Sequence, residues 1–208
     1  MSTTRRRRAN GEESRRRILD AAAEVAGERG YEGTSIAQVS ARCGLPASSI
    51  YWHFKDKDEL IAAVIERSFA DWLAVFTLPG PTSGDPQERV TGLAVRVAKA
   101  LLETPDFLRL GLMLALEHRP EEPSARRMFL QVREVAQQRV MEVVAELAPD
   151  LDEQAARLLA VYAMAAADGF FVAKEIGGDS VDLVQLFELH AKVLFDAMSH
   201  LMAEQDAM

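Results

Sequence analysis

Cysteine is nearly absent from this chain: Cys43 is the only one in 208 residues. One cysteine excludes an internal disulfide, and with it the small stapled scaffolds of oxidising compartments, so a reducing cytoplasm is the simplest location. Cys43 itself is expected to be a small buried side chain rather than a redox switch. Histidine is scarce too. His53, His118, His190 and His200 are too scattered for a local metal site, and His200 with Glu204 on one helix face is a single pair. No metal or cofactor is therefore expected. Gly-x-Ser-x-Gly, dinucleotide-binding glycine fingerprints, phosphate-binding loops and His-Glu-x-x-His are all missing, which leaves no catalytic residue to name and points away from an enzyme. Long apolar runs are missing as well. Stretches such as Leu158 to Ala167 fall short of the ~18 uninterrupted apolar residues of a spanning helix, so no membrane is expected. The N-terminus, with Arg5–Arg8 and then Asn10-Gly11-Glu12-Glu13, lacks the apolar core of a signal peptide.

What the chain does have is enough apolar material for a core, 49% of residues, and an uneven distribution of charge. The net charge of −8 would repel a polyanion. Residues 1–60, however, hold eleven Lys/Arg against nine acids, a balance of +2, which leaves −10 for the remainder. Arg5–Arg8 and Arg15–Arg17 concentrate the positive field at one end, where a nucleic acid would be met.

Periodicity is helical almost throughout, and the residues are good helix formers, so an all-α fold of about nine helices is expected. Asn10 with Glu13 reads as a capping box opening a first helix that runs to Gly30. Thr34 or Ser35 caps a short second helix that stops at Gly44, and a third opens near Pro46 and runs to about Phe54. A fourth, from about Asp56, carries Leu60, Ile61, Val64, Ile65, Phe69, Trp72 and Phe76 and ends before the flexible stretch Pro79-Gly80-Pro81-Thr82-Ser83-Gly84. Further helices are read at roughly 86–103, 105–118, 123–148, 151–176 and 180–204, separated by Thr104-Pro105, Arg119-Pro120, Pro123-Ser124, Pro149-Asp150 and Gly177-Gly178.

Residues 34–54 form a helix-turn-helix pattern. Ile36, Ala37, Val39, Leu45 and Ile50 are spaced to pack two short helices on each other, and Gly44 supplies the tight turn. The segment Gly44-Leu45-Pro46-Ala47-Ser48-Ser49-Ile50-Tyr51-Trp52-His53-Phe54-Lys55-Asp56-Lys57-Asp58-Glu59-Leu60 resembles the recognition-helix signature of the TetR family of bacterial regulators, which ends in Tyr-x-His-Phe followed by Lys and Leu. Gly30-Tyr31-x-Gly33-Thr34-Ser35 is similar to the family's turn between its first two helices. The resemblance covers about residues 12–72, and 85–208 carry no comparable motif.

That resemblance implies three segments: a disordered basic arm over 1–11, a DNA-binding domain over 12–72 with its helix-turn-helix at 34–54, and a ligand-binding and dimerisation domain over 73–208. It implies a repressor of transcription on palindromic double-stranded operator DNA. Tyr51, His53 and Lys57 would meet phosphates, with Thr34 and Ser35 adding contacts at a helix start. Bases would be read by Gln38, Ala47, Ser48, Ser49 and Trp52. Pro46 and Ala47 stand where many members have a serine cap and a lysine, so the operator sequence does not follow. Arg5–Arg8 would reach the minor groove or the flanking backbone.

The last two helices exceed what one partner helix can cover, and small residues Ala163, Ala165, Ala166, Ala167 and Gly169 permit close approach. The resemblance implies a homodimer formed through them as a four-helix bundle, setting two recognition helices about one DNA turn, ~34 Å, apart. Large adaptable side chains suggest a pocket for a small apolar effector, lined by Trp72, Phe76, Phe107, Met113, Phe129, Tyr162 and Phe171. Glu117, His118, Asp168 and His190 are the candidates for its polar contacts. The competing readings are a DNA-binding regulator or activator without an effector and a helical enzyme.

Overall fold

The structure is a computed structural model that describes residues 2–74, 76, 85–117 and 123–207. Among the described residues it contains helices and no strand: α1 Ser2–Arg29, α2 Ile36–Cys43, α3 Ala47–His53, α4 Lys57–Leu73, α5 Pro86–Glu103, α6 Asp106–Leu116, α7 Ser124–Leu147, α8 Glu153–Gly177 and α9 Leu183–Asp206, with a 3-10 turn at Gly178–Ser180. The expected all-α class and helix order hold. The chain forms two compact units, Met1–Ala70 with Pro105–Val132, and Asp71–Thr104 with Arg133–Met208. Residues 105–132 thus join the first unit, where a boundary near residue 72 was expected.

In the first unit α1 packs on α2, α3 and α6. Its apolar positions Ile18, Leu19, Ala22, Val25 and Ala26 recur at helical spacing and are buried, as are Val39, Ile50, Phe54, Leu60, Ile61, Val64 and Ile65. Each such large side chain removed from water is worth about 1.5–3 kcal/mol. Gly30, at φ 69°, and Gly44, at φ 66°, end α1 and α2 in the left-handed conformation that only glycine adopts without strain.

Two expectations for this unit are corrected. The capping box at Asn10 and Glu13 does not form, because helix already covers both residues; Asn10 accepts from the Ser14 hydroxyl at 2.9 Å, and Glu13 pairs with Arg16 at 2.8 Å. The backbone of residues 2–11, expected as a disordered arm, is helical, since arginines are good helix formers and no proline interrupts them. The side chains of Arg5–Arg8 lie outside the described residues, as does the Pro79–Gly84 stretch.

In the second unit α9 packs against α5 and α8. Its core holds Val144, Ala148, Ala156, Leu159 and Met198, surrounded by Val140, Leu147, Leu194, Phe195 and Leu201. Asp85, Asp152 and Asp182 cap α5, α8 and α9 by accepting from the backbone N–H groups of Glu88, Ala155 and Gln185. Arg89 is buried and pairs with Glu146.

Within Glu153–Ser180 an 18-residue window has a mean hydropathy of 1.5, so this helix is long and apolar enough to cross a membrane, which counting uninterrupted runs missed. Only 17% of that apolar window is buried. Leu158, Val161, Tyr162, Val172 and Ile176 of α8, with Leu189 and Val193 of α9, stand exposed.

Candidate nucleic-acid interface

The turn between α2 and α3 is built by local chemistry. Ser35 caps α2 through a complete capping box: its hydroxyl accepts from Gln38 N, while the Gln38 side-chain Oε1 accepts from Ser35 N at 2.9 Å and from the Ser35 hydroxyl at 2.9 Å. The Ser40 hydroxyl donates to Leu45 O in the turn at 2.6 Å, and Arg17 of α1 donates to Cys43 O, the last carbonyl of α2, at 2.7 Å. Arg42 grips Glu24 and Glu28 of α1, at 2.9 Å each. With Ile50 and Phe54 anchored in the core, α3 is fixed on its inner side and free on the other.

The free side carries the expected residues. Trp52 is 76% exposed and Tyr51 56%, both extreme for aromatic side chains on a short, otherwise polar helix. Ser48 is exposed, and Ala47 and Ser49 are partly so. His53 is half-buried, its ring 4.5 Å from Trp52 in an edge-on arrangement. Burial and the nearby Arg15 cation push the His53 imidazole down from its ordinary value, favouring its uncharged form. A cleft of about 390 Å³ is lined by Ser48, Ser49, Trp52 and His53 on one side and Asn10, Gly11 and Ser14 of α1 on the other. The α1 contributors were missed; their signal was the i, i+4 spacing of Asn10 and Ser14.

Three expected residues are differently placed. Thr34 is buried and donates its hydroxyl to Gly30 O at 2.7 Å, stabilising the left-handed end of α1, so its side chain does not face a phosphate. Gln38 is committed to the capping box and is not extended towards bases. Lys57 donates to Tyr31 O at 3.0 Å, sits 4.3 Å above the Tyr31 ring and lies 3.7 Å from Glu32. Its location is thus fixed by the α1–α2 turn. Tyr31 also donates its hydroxyl to Asp58 at 3.1 Å, and Asp58 accepts from the backbone N–H groups of Ser124 and Ala125. No local pattern in the sequence announces that link across 66 and 67 residues.

The match to known proteins falls on this head. Residues 18–64 match the model for the bacterial regulatory proteins of the tetR family. This head is therefore similar in sequence to the DNA-binding head of tetR-family regulators. Its curated relatives include the HTH-type transcriptional regulators AcrR of Shigella flexneri, 34% identical over 64 residues, and SrpR of Pseudomonas putida, 38% identical over 61 residues. These stretches cover 31% and 29% of this chain, and only 30% and 29% of the relatives' own lengths. Beyond the head the likeness is one of TetR-type fold. The structure of SmeT, the repressor of the Stenotrophomonas maltophilia multidrug efflux pump SmeDEF, superposes with a TM-score of 0.66 at 22% identity, over 88% of this chain and 89% of that one.

The residues expected to line an effector pocket belong to both units. In the first unit Phe107 and Phe129 are buried and Met113 is half-exposed. In the second, Trp72 stacks near Phe76 at 5.4 Å, Phe171 is buried, and Tyr162 lies 5.7 Å from His190. An apolar cavity of the second unit, about 60 Å³, is lined by Val90, Val140, Leu159, Leu194, Met198 and their neighbours, and a more polar cleft of about 290 Å³ is lined by Phe76 with Leu73, Arg139, Glu142 and Glu146. Of the polar candidates, Asp168 is held by Arg133 in a bidentate pair at 2.8 and 2.7 Å, Glu117 ends α6, and His118 lies outside the described residues. His190 is buried among Tyr162, Phe170 and Phe187.

Proposed function

We propose that this chain is a cytoplasmic transcriptional repressor of the TetR family that binds a palindromic operator as a homodimer and leaves it when a small apolar molecule binds the helical body. The observation that carries the reading is α3. It presents Tyr51 and Trp52 to solvent while Ile50 and Phe54 hold it down, an arrangement that packing does not require and a DNA groove would use. Tyr51, His53 and Lys57 are the phosphate contacts in this reading; Ser35 adds one at the start of α2, and Ala47, Ser48, Ser49 and Trp52 meet base edges.

The exposed apolar residues of α8 and α9 support the homodimer. Leu158 at 61%, Ile176 at 83% and Leu189 at 60% form part of an apolar surface that a second copy would remove from water through the same patch on both partners. The effector reading draws on the apolar lining of the second unit's cavity, with Val140, Leu159, Leu194, Phe195 and Met198, which at about 60 Å³ must widen to admit a small apolar molecule.

The test is selection of binding sites from random duplex DNA by the full chain, with its mass in solution measured in parallel. Enrichment of an inverted repeat with half-sites about one helical turn apart, by a protein of twice the chain mass, is the expected result. Enrichment of nothing would refute the repressor, and a single unrepeated half-site bound by a monomer would refute the dimer.

A further inference from the structure

Asp58 sits in the first turn of α4, immediately after Lys57, yet its partners lie far along the chain. One oxygen accepts from the Tyr31 hydroxyl at 3.1 Å and from Ala125 N at 3.1 Å, and the other accepts from Ser124 N. Ser124 and Ala125 are the first residues of α7, so this carboxylate supplies, from another helix, the cap that a helix start needs. Tyr31 in turn fixes Lys57: its carbonyl accepts from the ammonium at 3.0 Å, and its ring lies 4.3 Å beneath it. A chain of contacts therefore runs from the first turn of α7 through Asp58 and Tyr31 to Lys57, all within the first unit. α7 is a single helix of 24 residues, and its later residues Val140, Val143, Val144 and Leu147 line the apolar cavity of the second unit.

We propose that Asp58 is a positioning residue for DNA binding: it clasps the start of α7 and, through Tyr31, holds Lys57 where a phosphate is met, so that grip on the operator depends on the state of α7. This rests on the DNA-binding reading above. Asp58 touches no DNA itself. With the clasp closed, Lys57 is presented in one place and its ordering cost is met before DNA arrives; with α7's first turn displaced, Asp58 loses the Ser124 and Ala125 donors that hold its carboxylate against Tyr31, and the seat of Lys57 loosens with it. The ammonium has three donors, and only one is spent on the Tyr31 carbonyl in this arrangement.

The experiment measures operator affinity by fluorescence anisotropy across a salt series, with the full chain and a duplex from the selection above, at a temperature where every variant is folded by circular dichroism. Lys57→Ala removes one phosphate neutralisation and lowers the slope of log affinity against log salt by about one. Asp58→Ala is expected to weaken binding about tenfold and to lower the slope by a similar amount, and the double variant is expected to be no weaker than Lys57→Ala by more than about twofold. Tyr31→Phe, which deletes only the hydroxyl, and Ser124→Pro, which deletes the α7 N–H at a helix position that accepts proline together with the Ser124 hydroxyl that accepts from Arg127 at 2.9 Å, each weaken binding about threefold; these two carry the test if Asp58→Ala does not fold.

An Asp58→Ala protein with lowered melting temperature but unchanged affinity and slope would overturn the proposal, as would tighter binding or additive losses in the double variant. In the two milder variants, wild-type affinity would do the same. Absence of binding by the wild-type chain would instead bring down the DNA reading, and the clasp with it.

Discussion

Gly111 lies in α6 against the ring of Phe129, and a methyl group added there would stand 1.9, 2.1 and 2.5 Å from three ring carbons. Two effects of Gly111→Ala compete. Inside a helix alanine is better than glycine by about 1 kcal/mol, and on propensity alone the variant would be more stable. Against this, the contacts are more than 1 Å inside van der Waals distance, and the obstacle is an aromatic ring, 2% exposed, that cannot bend aside like the end of a methionine. Overfilling a packed core costs about 1–3 kcal/mol and more when a ring must leave its rotamer, so overpacking wins and the net loss is about 1–2 kcal/mol. For a chain of this size that corresponds to a fall in melting temperature of roughly 2–8 °C.

The assay is urea and thermal unfolding followed by circular dichroism. Gly92→Ala serves as control, since the added methyl in α5 would meet only the Arg96 guanidinium, at 3.9 Å, and should show the propensity gain of about 1 kcal/mol. Phe129→Leu in the Gly111→Ala background should recover part of the loss. If Gly111→Ala matched Gly92→Ala in stability, the packing of α6 on α7 described above would be wrong.

Two further outcomes follow from the same contacts. Ser35→Ala removes the hydroxyl half of the α2 capping box and should lower stability by about 1 kcal/mol, read as a lower urea midpoint with unchanged slope. His190 is held below the usual histidine range by burial, with the Ala163 backbone opposing, and its buried Nε2 has no hydrogen-bond partner among the described residues. Because its folded-state value lies below the unfolded one, stability is present above about pH 6.5 and is lost as pH falls through the folded value. His190→Phe, placed among Tyr162, Phe170 and Phe187, should flatten that acid loss, as denaturant midpoints at pH 7 and pH 5 would show.

Much of the fold was legible because its signals are local. Asp85 with Pro86 starts α5 and Thr104-Pro105 stops it, so 86–103 could be read from the chain alone. Ser35 with Gln38 and the left-handed Gly44 delimit α2 in the same way. Helix α3 was legible because Ile50 and Phe54 inside, with Tyr51 and Trp52 outside, make one pattern within five residues. The start of α1 was misread because a capping box is only one possible use of Asn10 and Glu13, and a helix that has already begun needs no cap there. Thr34 and Ser35 are both plausible caps in sequence, and only the fold of the turn sends Thr34 inward to Gly30. Neither the Asp58 clasp nor the cavity lining could be read, because each depends on residues from helices more than fifty positions apart.

Tyr51 offers the most direct test of the central claim, because it is 56% exposed and Tyr51→Phe removes one hydroxyl without touching the core. The measurement is anisotropy of labelled DNA flanking the chain's own gene, titrated with wild type and Tyr51→Phe from low to physiological salt. A repressor of the proposed kind gives saturable wild-type binding that falls linearly in log affinity with log salt, and a variant weaker by about ten- to a hundredfold with the same slope, as loss of a neutral donor to a charged phosphate requires. Equal affinities of the two proteins, or no saturable binding even at low salt, would contradict the account.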